Sequence, residues 1–430
     1  MRRGGILQLL LGVAVLGALV IVASTEGTRI LKGVKASAEP SAERFAGRAA
    51  PFLSMGTSAG GAIAPRVAVL ADGTAAVAWL GRTKPEAWPD RVEVRGLKKD
   101  GVATPVAQIH GKEPFVVSPV LANASDGGLW LAFMGAPQSP LDDLSDLATL
   151  YVARAAPGGG AFSVPSNVAQ GDAIASWGGS WAAPYGDLIA LVHRAVEGGH
   201  GRIFFSAVGQ GDPGAQIVAE GDELATARCA ICATPARAYV LWWESPGVIK
   251  VRASDAGGHF RTTRAVIVSL PGELAAAVPP SCVAVGDRLE VMYGLAASSP
   301  LVAPTVLSRI VLARSVDAGR TFPVRAMLGE PRTRIVASDL ALSPSGEPLV
   351  GALVTTPGSD DVTLRWARPN PAAASELLFR DAQGRLLPED PSHVAATHGL
   401  VRMATSAGRT VAAFAEGPVL PQVSFVELEP

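Results

Sequence analysis

Short apolar stretches separated by turns that contain Gly or Asp recur along most of the chain. The first copy comprises an apolar stretch at residues 65–70, a turn at Asp72-Gly73 and a second apolar stretch at residues 76–79. A third apolar stretch follows at residues 92–95, after a more polar segment. Two apolar stretches around a tight Gly turn are typical of an antiparallel hairpin. Each copy therefore predicts three neighbouring strands of one small antiparallel sheet.

Seven copies of this unit can be recognised from their first strands. They begin near Pro65, Pro119, Trp181, Cys229, Cys282, Leu340 and Val401, at a spacing of roughly 50 to 62 residues. This spacing favours β-propeller blades of four strands, whereas a pair of β-sandwiches or a β-helix would not produce such regular units. The seventh copy ends after its third strand, so we expect residues 43–53 to supply the fourth strand and close the ring.

One short segment follows the third strand of the fifth copy. Residues 315–322 read Ser-Val-Asp-Ala-Gly-Arg-Thr-Phe. The side chains of Ser315 and Asp317 can bond to nearby backbone N–H groups, and Gly319 can adopt a positive φ. Phe322 places an aromatic side chain at the start of the next strand. The segment therefore predicts a tight turn between the third and fourth strands of a blade.

This segment resembles the Asp-box, S-x-D-x-G-x-T-[FW], of the bacterial neuraminidase repeat. In that family the motif forms the turn between the third and fourth strands of a propeller blade, and its residues are structural. The resemblance implies an all-β fold, a seven-bladed β-propeller of four-stranded antiparallel blades closed by an N-terminal strand. Six blades, the number in sialidases of the family, is the alternative. The structural positions are Ser315, Asp317, Gly319, Thr321 and Phe322, with Asp255, Gly257 and Phe260 in a degenerate copy at residues 253–260.

The balance of charges argues against a partner that is recognised through the overall electrostatic field. The chain has 37 Lys and Arg residues against 38 Asp and Glu residues, for a net charge of −1. Proteins that bind nucleic acid or anionic surfaces through their overall field carry an excess of basic residues. We therefore expect no nucleic-acid partner, and we expect a monomer.

The N-terminus has the pattern of an export signal. Arg2 and Arg3 precede an uncharged run over residues 4–23, and Val22-Ala23-Ser24 offers a small-residue cleavage site. Because the basic flank stays in the cytoplasm, we expect the rest of the chain in the periplasm or secreted. The run is long enough to span a bilayer, so residues 1–24 fit either a retained signal anchor or a cleaved signal peptide. We predict a linker at residues 25–43 and the propeller at residues 44–430.

The three cysteines are Cys229, Cys232 and Cys282. Cys229 and Cys232 lie three positions apart on a predicted strand, where their side chains point to opposite faces and suit no local disulfide. We expect either buried thiols or one bridge from Cys282 to one of the other two. No second pair of ligands stands at a spacing that suits zinc, so we expect no metal and no cofactor.

Ligands are expected on the face of the propeller opposite the Asp-box turn. This face, called here the loop face, carries the loops between second and third strands and the connections between blades. Variable loops on a rigid scaffold are the usual place for binding residues. Its predicted loops are residues 82–90, 137–149, 193–201, 293–308, 356–361 and 385–398.

The resemblance also supplies candidates for catalysis. Sialidases of the family hold the substrate carboxylate with three arginines and use a Tyr–Glu pair as nucleophile, with an Asp as acid/base. Their first arginine lies in an [FY]-R-[IV]-P motif, of which residues 64–68 keep only Arg66 and the following aliphatic residue. The candidates at matching places are Arg66, Arg228, Tyr293, Glu244 and Asp339. Only two arginines stand at starts of inner strands. We expect Tyr293 to be a strand-end aromatic and Glu244 a solvated charge.

Aromatic and acidic residues near loop ends complete the set of candidates. Sugar rings can stack on aromatic faces, and we expect one or two of four tryptophans at the loop face; these are Trp88, Trp177, Trp181 and Trp243. Three acidic residues of one long loop offer oxygen ligands for calcium, although a solvated loop is the expected role; these are Asp142, Asp143 and Asp146.

These observations favour an exported or membrane-tethered β-propeller that binds a glycan or a protein ligand on its loop face without catalysis. The alternatives are a sialidase-like exo-glycosidase that acts on extracellular glycans, and an envelope scaffold without a small-molecule ligand.

Overall fold

In this computed structural model of the chain, the residues described are 53–56, 62–84, 87–137, 147–157, 161–172, 179–209, 214–245, 247–261, 264–296, 307–329, 334–355, 362–369, 380–381, 401–416 and 422–428. They all fall within the unit Gly47–Pro430. The predicted export segment and linker, residues 1–43, lie outside the described residues. Among the described residues, no helix combines the length and the apolar character that crossing a membrane requires.

The strands form seven antiparallel blades of four strands each. The first strand, β1 (Leu53–Gly56), precedes blade 1, which contains β2 (Ala62–Val69), β3 (Ala75–Gly81), β4 (Arg91–Leu97) and β5 (Ala107–Ile109). Blade 2 contains β6 (Phe115–Asn123), β7 (Leu129–Ala136), β8 (Leu147–Ala155) and β9 (Ser166–Asp172). Blade 3 contains β10 (Ala182–Tyr185), β11 (Leu188–Glu197), β12 (His200–Val208) and β13 (Gln216–Gly221), and a short 3-10 helix, Asp222–Leu224, follows it.

The remaining blades repeat the same order from the inner to the outer strand. Blade 4 contains β14 (Arg228–Thr234), β15 (Arg237–Glu244), β16 (Val248–Ala253) and β17 (Val266–Ile267). Blade 5 contains β18 (Ser281–Val285), β19 (Arg288–Ala296), β20 (Leu307–Ser315) and β21 (Val324–Leu328). Blade 6 contains β22 (Arg334–Leu342), β23 (Pro348–Thr355), β24 (Val362–Ala367) and β25 (Arg380–Asp381). Blade 7 contains β26 (Val401–Ser406), β27 (Arg409–Glu416) and β28 (Gln422–Leu428).

Strand β1 completes blade 7 from the other end of the chain. It pairs antiparallel with β28, with Leu53 opposite Phe425 and Ser54 opposite Ser424. The predicted seven-bladed, all-β propeller closed by an N-terminal strand is therefore confirmed. The closing strand, Leu53–Gly56, shares only Leu53 with the segment predicted for it at residues 43–53, so the predicted position was wrong by several residues. Residues 43–52 lie outside the described residues.

Neighbouring blades pack through apolar side chains, because each blade presents aliphatic and aromatic residues on both faces. Between blades 7 and 1, Val69 and Trp79 are fully buried in one cluster with Phe425. The indole Nε1 of Trp79 donates a hydrogen bond of 2.8 Å to the carboxylate of Glu93. Burying a large aromatic side chain with its polar atom satisfied stabilises the fold by several kcal/mol, about 3–5 kcal/mol in truncation experiments.

The inner strands of blades 1 and 2 bulge at the same place. Ala64 and Ser118 both have a φ of 51°, and Pro65 and Pro119 follow them. The strand register shifts at this place in both blades. Because a bulge changes the direction of the side chains that follow it, the bulge of blade 1 sets the direction of Arg66.

Residues 315–322 form the predicted turn between β20 and β21. The Ser315 hydroxyl donates to Asp317 Oδ1 at 2.7 Å and accepts the N–H of Gly319 at 2.9 Å. Asp317 Oδ1 also accepts the N–H of Thr321 at 2.9 Å, and its Oδ2 accepts the Thr321 hydroxyl at 2.7 Å. Gly319 has a φ of 80°, which a residue without Cβ adopts at no steric cost. These side chains therefore hold the turn rather than face a ligand.

The degenerate copy forms the corresponding turn between β16 and β17 of blade 4. Asp255 Oδ1 accepts the N–H groups of Gly257 at 2.9 Å and His259 at 3.0 Å. The positive φ, 78°, belongs to Gly258, one position beyond the Gly257 that the motif indicates. Phe260 packs against Phe205 of blade 3, with 5.0 Å between ring centroids. The turn thus keeps its aspartate and its aromatic contact although its glycine is displaced.

The hydrogen bonds of Asp317 predict a pH-dependent contribution to stability. Bonds from Ser315 and Thr321 lower the pKa of Asp317 to about 2, below the value of about 3.9 in an unfolded chain. A carboxylate with a lowered folded pKa stabilises the fold above about pH 4, and this stabilisation is lost as the pH falls toward 2. We expect Asp317→Ala to lower the free energy of unfolding at pH 7 by about 1 kcal/mol, measured by urea denaturation. The difference from the parent protein should shrink between pH 4 and pH 2.

The exposed Arg320 of the same turn offers a matched control. Arg320→Ala should leave stability unchanged at both pH values. If Asp317→Ala lowers the free energy of unfolding by the same amount at pH 7 and pH 2, the ionised carboxylate does not stabilise the turn.

One disulfide joins the inner strands of blades 4 and 5. It links Cys232 to Cys282, whose Cα atoms are 5.7 Å apart. Cys229 is a free, buried thiol, and burial raises its pKa to about 12. Of the alternatives that the sequence leaves open, the structure therefore contains one bridge, and Cys282 pairs with Cys232.

Candidate functional site

The loop face is described in part. Its described segments are the loops and connections at residues 82–84, 87–90, 110–114, 198–199, 222–227, 247 and 268–280. Several loops predicted for this face lie outside the described residues, at 138–146, 297–306, 356–361 and 382–400. The acidic residues Asp142, Asp143 and Asp146 and the predicted Trp177 fall in segments that the structure leaves out.

The connections that lead into blades 3 and 5 meet in front of blade 4. A Cβ atom on Gly179 would lie 2.7 Å from Cβ of Pro279 and 3.0 Å from the carbonyl oxygen of Cys229. The carbonyl of Ser180 accepts the N–H of Ile231 at 2.8 Å. Only glycine allows so close an approach of these segments. The start of the inner strand of blade 4 is therefore covered, and Arg228 at that start is half-buried.

Arg66, Asp339 and Arg402 form one buried group, called here the channel cluster. They lie on the inner strands of blades 1, 6 and 7. Asp339 Oδ2 accepts the N–H of Met403 at 2.8 Å, and its Oδ1 lies 3.7 Å from Nη1 of Arg402. Burial, followed by the charge of Arg402, holds the pKa of Arg66 well below its ordinary value. Burial also raises the pKa of Asp339, against the opposing charges of Arg402 and Arg66.

A second group surrounds Arg228 and is called here the Arg228 cluster; its other members are Asp172 and Arg194. Arg194 is buried, donates to the carboxylate of Asp172 and donates a second bond of 2.7 Å to the carbonyl of Ala227. Burial lowers the pKa of Arg228, as does the charge of Arg194, and the charge of Asp172 opposes the shift. This cluster joins blades 2, 3 and 4.

The two arginines predicted for a carboxylate clamp thus fall in different groups. Arg66 interacts with residues of blades 6 and 7, and Arg228 interacts with residues of blades 2 and 3. Asp339, predicted as an acid or base, lies beside Arg66. Sequence reasoning missed Arg402 and Arg194. Arg402 directly follows the predicted strand start at Val401, whereas no local pattern distinguishes Arg194.

Tyr293 makes its polar contacts between blades 4 and 5. Its hydroxyl donates to the carboxylate of Glu273, and it accepts a bond of 2.7 Å from Nη1 of Arg325. Glu273 belongs to the connection that follows β17, and its Oε2 also accepts the N–H of Leu270 at 2.8 Å. The partner of Tyr293 is therefore Glu273. Glu244, the candidate partner, is 8% exposed, pairs with Lys250 and accepts the indole N–H of Trp242 at 3.2 Å. The expectation that Glu244 is a solvated charge was therefore wrong.

The surroundings of Tyr293 favour its protonated form. Burial raises the pKa of Tyr293 above its ordinary value, and the hydrogen bond to Glu273 raises it further. The Arg325 guanidinium opposes this shift but does not reverse it. A nucleophilic hydroxyl needs a base that removes its proton as it attacks and an open path to the substrate. Tyr293 is almost fully buried, at 3% exposure, so the contact fixes the connection between the two blades.

The predicted binding tryptophans differ in their exposure. Trp181 is fully buried, and its Nε1 donates to the carbonyl of Ser118 in the neighbouring blade at 2.7 Å. Trp88 and Trp243 are half-buried at the loop face. Nε1 of Trp243 donates to the carbonyl of Ala275 at 3.0 Å. Two of the predicted tryptophans therefore keep surface that a ligand can reach.

Within the described ranges, no three His, Cys, Asp or Glu side chains converge as a metal site would require. His193 is buried and stacks on Phe204, and burial lowers its pKa to about 4. His200 lies at the tip of a hairpin, where its Nδ1 is 2.9 Å from the carboxylate of Asp222.

Comparison with known proteins relates the chain to other β-propellers. No protein-family model and no curated protein sequence matches it. It is similar to a protein of unknown function from Dyadobacter fermentans, with 14% identity over 89% of this chain and 99% of that one, at a TM-score of 0.52. It is also similar to an α-L-arabinanase from Penicillium chrysogenum, with 12% identity over 89% of this chain and 99% of that one, at a TM-score of 0.51. At these identities the likeness shows that this chain has the β-propeller fold of those two proteins.

Proposed function

We propose that this chain is an exported β-propeller of the Asp-box, sialidase-like type that binds a glycan on its loop face without catalysis. The observation that carries the proposal is the presence of two half-buried tryptophans, Trp88 and Trp243, on the loop face. Glycan sites combine aromatic faces with a few oriented polar groups, and both residues sit on segments that are held in place.

The Trp243 side chain is bonded to a connection between blades, and the backbone next to Trp88 is bonded to strand β6 of blade 2. The bond from Trp243 to Ala275 orients its ring at the end of β15. Trp88 precedes Pro89, whose carbonyl accepts the N–H of Val116 at 2.9 Å. The Trp243 ring is already oriented and loses little conformational freedom when a sugar stacks on it, so more of the contact free energy appears as affinity.

Two features support binding without catalysis. Tyr293 is buried, and its pKa is raised rather than lowered. Arg66 and Arg228 each have their own buried partners and do not share one carboxylate between them. A clamp for a substrate carboxylate requires arginines that converge on one point with free N–H groups.

Removal of each tryptophan tests the proposal. We expect Trp88→Ala and Trp243→Ala each to lower the affinity for the best ligand from a glycan array about tenfold, as measured by calorimetry. A tenfold change corresponds to about 1.4 kcal/mol of binding free energy. Trp88→Phe and Trp243→Phe retain an aromatic face and should bind within about threefold of the parent protein. An array without any binder, or alanine variants that bind as tightly as the parent, would contradict the proposal.

Export is supported by the disulfide and by the N-terminal pattern. Structural disulfides persist in the periplasm and outside the cell, whereas cytosolic thiols are kept reduced. The bridge between Cys232 and Cys282 therefore suits a chain that follows the signal at residues 1–24 out of the cytoplasm.

A sialidase-like exo-glycosidase is the second candidate, because the structure contains a Tyr–Glu contact at Tyr293 and Glu273. We expect no turnover of a panel of fluorogenic glycosides by the purified protein. If turnover is found, Tyr293→Phe decides the role of the hydroxyl. A loss of more than about a thousandfold in kcat with unchanged thermal unfolding would establish catalysis, and an unchanged kcat would leave Tyr293 a structural residue.

A further inference from the structure

The connection from blade 4 to blade 5, at residues 268–280, carries the carbonyl group that fixes Trp243. Ala275 accepts the indole N–H of Trp243 at 3.0 Å and donates its own N–H to the carbonyl of Gly247 at 3.1 Å. Gly247 follows the end of β15, the strand that carries Trp243. The orientation of the Trp243 ring therefore depends on where the connection holds Ala275.

Apolar burial does little to hold the part of this connection at residues 270–274. Leu270 and Leu274 are 49% and 61% exposed, and Pro271 and Gly272 between them are exposed as well. A segment with so much exposed surface opens at a low cost in free energy unless polar bonds hold it. The position of this segment is therefore set by polar contacts that tie it to a blade.

Three polar side chains supply these contacts and are called here the Glu273 cluster; they are Glu273, Tyr293 of β19 and Arg325 of β21. Oε2 of Glu273 accepts the hydroxyl of Tyr293 and lies 3.6 Å from Nη1 of Arg325. The same oxygen accepts the N–H of Leu270 at 2.8 Å, and the N–H of Glu273 donates to the carbonyl of Leu270 at 3.1 Å. Arg325 also donates to the carbonyl of Val268. Blade 5 thus holds the connection two residues before Ala275.

We propose that Glu273, Tyr293 and Arg325 are positioning residues for the glycan site, because they hold the connection whose Ala275 carbonyl orients Trp243. The inference rests on the proposed function, in which Trp243 stacks on the glycan. In this role the three side chains act through Ala275 and do not touch the ligand. Burial raises the pKa of Tyr293, so its hydroxyl stays protonated and keeps donating to Glu273.

Hydrogen exchange at Trp243 tests the proposal without a ligand. The indole N–H exchanges with water when its bond to Ala275 opens, and its NMR signal in the full chain can be assigned by its loss in Trp243→Phe. We expect Tyr293→Phe to accelerate this exchange at least about tenfold, because the connection opens more often without the hydroxyl. The indole N–H of Trp181, bonded to Ser118 in another blade, should keep its rate. An unchanged rate at Trp243, or equal acceleration at Trp181, would overturn the proposal.

Affinity measurements connect the Glu273 cluster to the ligand. Tyr293→Phe should lower the affinity for the best array glycan about threefold in the parent protein and in Trp88→Ala, but should have no further effect in Trp243→Ala, because only Trp243 and Tyr293 act as one unit. If Tyr293→Phe lowers the affinity equally in Trp243→Ala, the positioning role is wrong although glycan binding stands. Exchange needs no glycan, so it decides the positioning role whether or not the array yields a ligand.

Tyr239→Phe is the matched control. Tyr239 is fully buried on the same strand as Trp243, and its hydroxyl meets no partner among the residues that the structure describes. Its removal should change neither the exchange rate at Trp243 nor the affinity. If Tyr239→Phe accelerates the exchange as much as Tyr293→Phe, loss of any buried hydroxyl would suffice and the proposal fails.

Two variants of Glu273 separate its hydrogen bonds from its packing. Glu273→Gln keeps an oxygen that can accept from Tyr293 and Leu270, whereas Glu273→Ala removes it. We expect Glu273→Ala to accelerate exchange at Trp243 more than Tyr293→Phe does, because both bonds to the carboxylate are lost. Glu273→Gln should stay closer to the parent protein. Equal exchange rates in Glu273→Ala and the parent protein would contradict the proposal.

Discussion

A chain that begins at Gly61 is expected to lose its cooperative unfolding transition and to aggregate. This truncation removes β1, whose backbone pairs with Val423, Ser424 and Phe425 of β28. Without it, β28 becomes an unpaired edge, and blade 7 no longer ties the two ends of the ring together. The free energy of unfolding is expected to fall by more than about 5 kcal/mol, which is comparable with the whole net stability of a typical domain. Size-exclusion chromatography and circular dichroism during urea denaturation would measure it.

A chain that begins at Gly47 is the control, because it removes the predicted signal and linker but keeps β1. It should remain monomeric and unfold in one transition. A soluble monomer with unchanged unfolding from the Gly61 truncation would show that the ring does not need its N-terminal strand.

The fold could be predicted because each blade is built mainly from neighbours in sequence. In the hairpin of β2 and β3, Val69 lies opposite Ala75. The Asp72-Gly73 turn between the two strands can be recognised directly in the amino-acid sequence. The Ser315 turn is equally local, since Asp317 bonds to residues no more than four positions away. Closure was predictable for a different reason. A seventh unit with a missing strand leaves an edge, and the segment ahead of blade 1 could supply that strand.

The functional chemistry could not be predicted in the same way because it depends on residues that are distant in sequence. Asp339 meets Arg66 only once the seven blades have closed the ring, and Arg409 bonds to Gly73 across 336 positions. The resemblance offered Glu244, at the end of the second strand of the neighbouring blade, as a candidate partner for Tyr293. The partner is Glu273, in the connection between the blades, and the sequence does not show where a carboxylate in such a connection will lie.

Removal of the disulfide is expected to produce one of the largest effects of any single side-chain change. The bridge encloses a loop with a sequence separation of 50 between Cys232 and Cys282. Restricting an unfolded chain by a loop of this length stabilises the fold by about 4 kcal/mol. Cys232→Ala and Cys282→Ala should therefore each lower the free energy of unfolding by about 4 kcal/mol in urea denaturation.

The pattern among the variants distinguishes the bridge from loss of packing. Both cysteines contribute through one bond, so the double variant should cost little more than either single variant, whereas independent packing losses would add. Reductant should bring the parent protein close to the single variants and leave those variants unchanged. Cys229→Ala removes a buried free thiol on the same strand and should lower the free energy of unfolding by only about 1 kcal/mol. Its effect should add to the effect of either bridge variant. If the losses of unfolding free energy for the Cys232 and Cys282 variants add, or if reductant does not change the stability of the parent protein, blades 4 and 5 are not joined in solution.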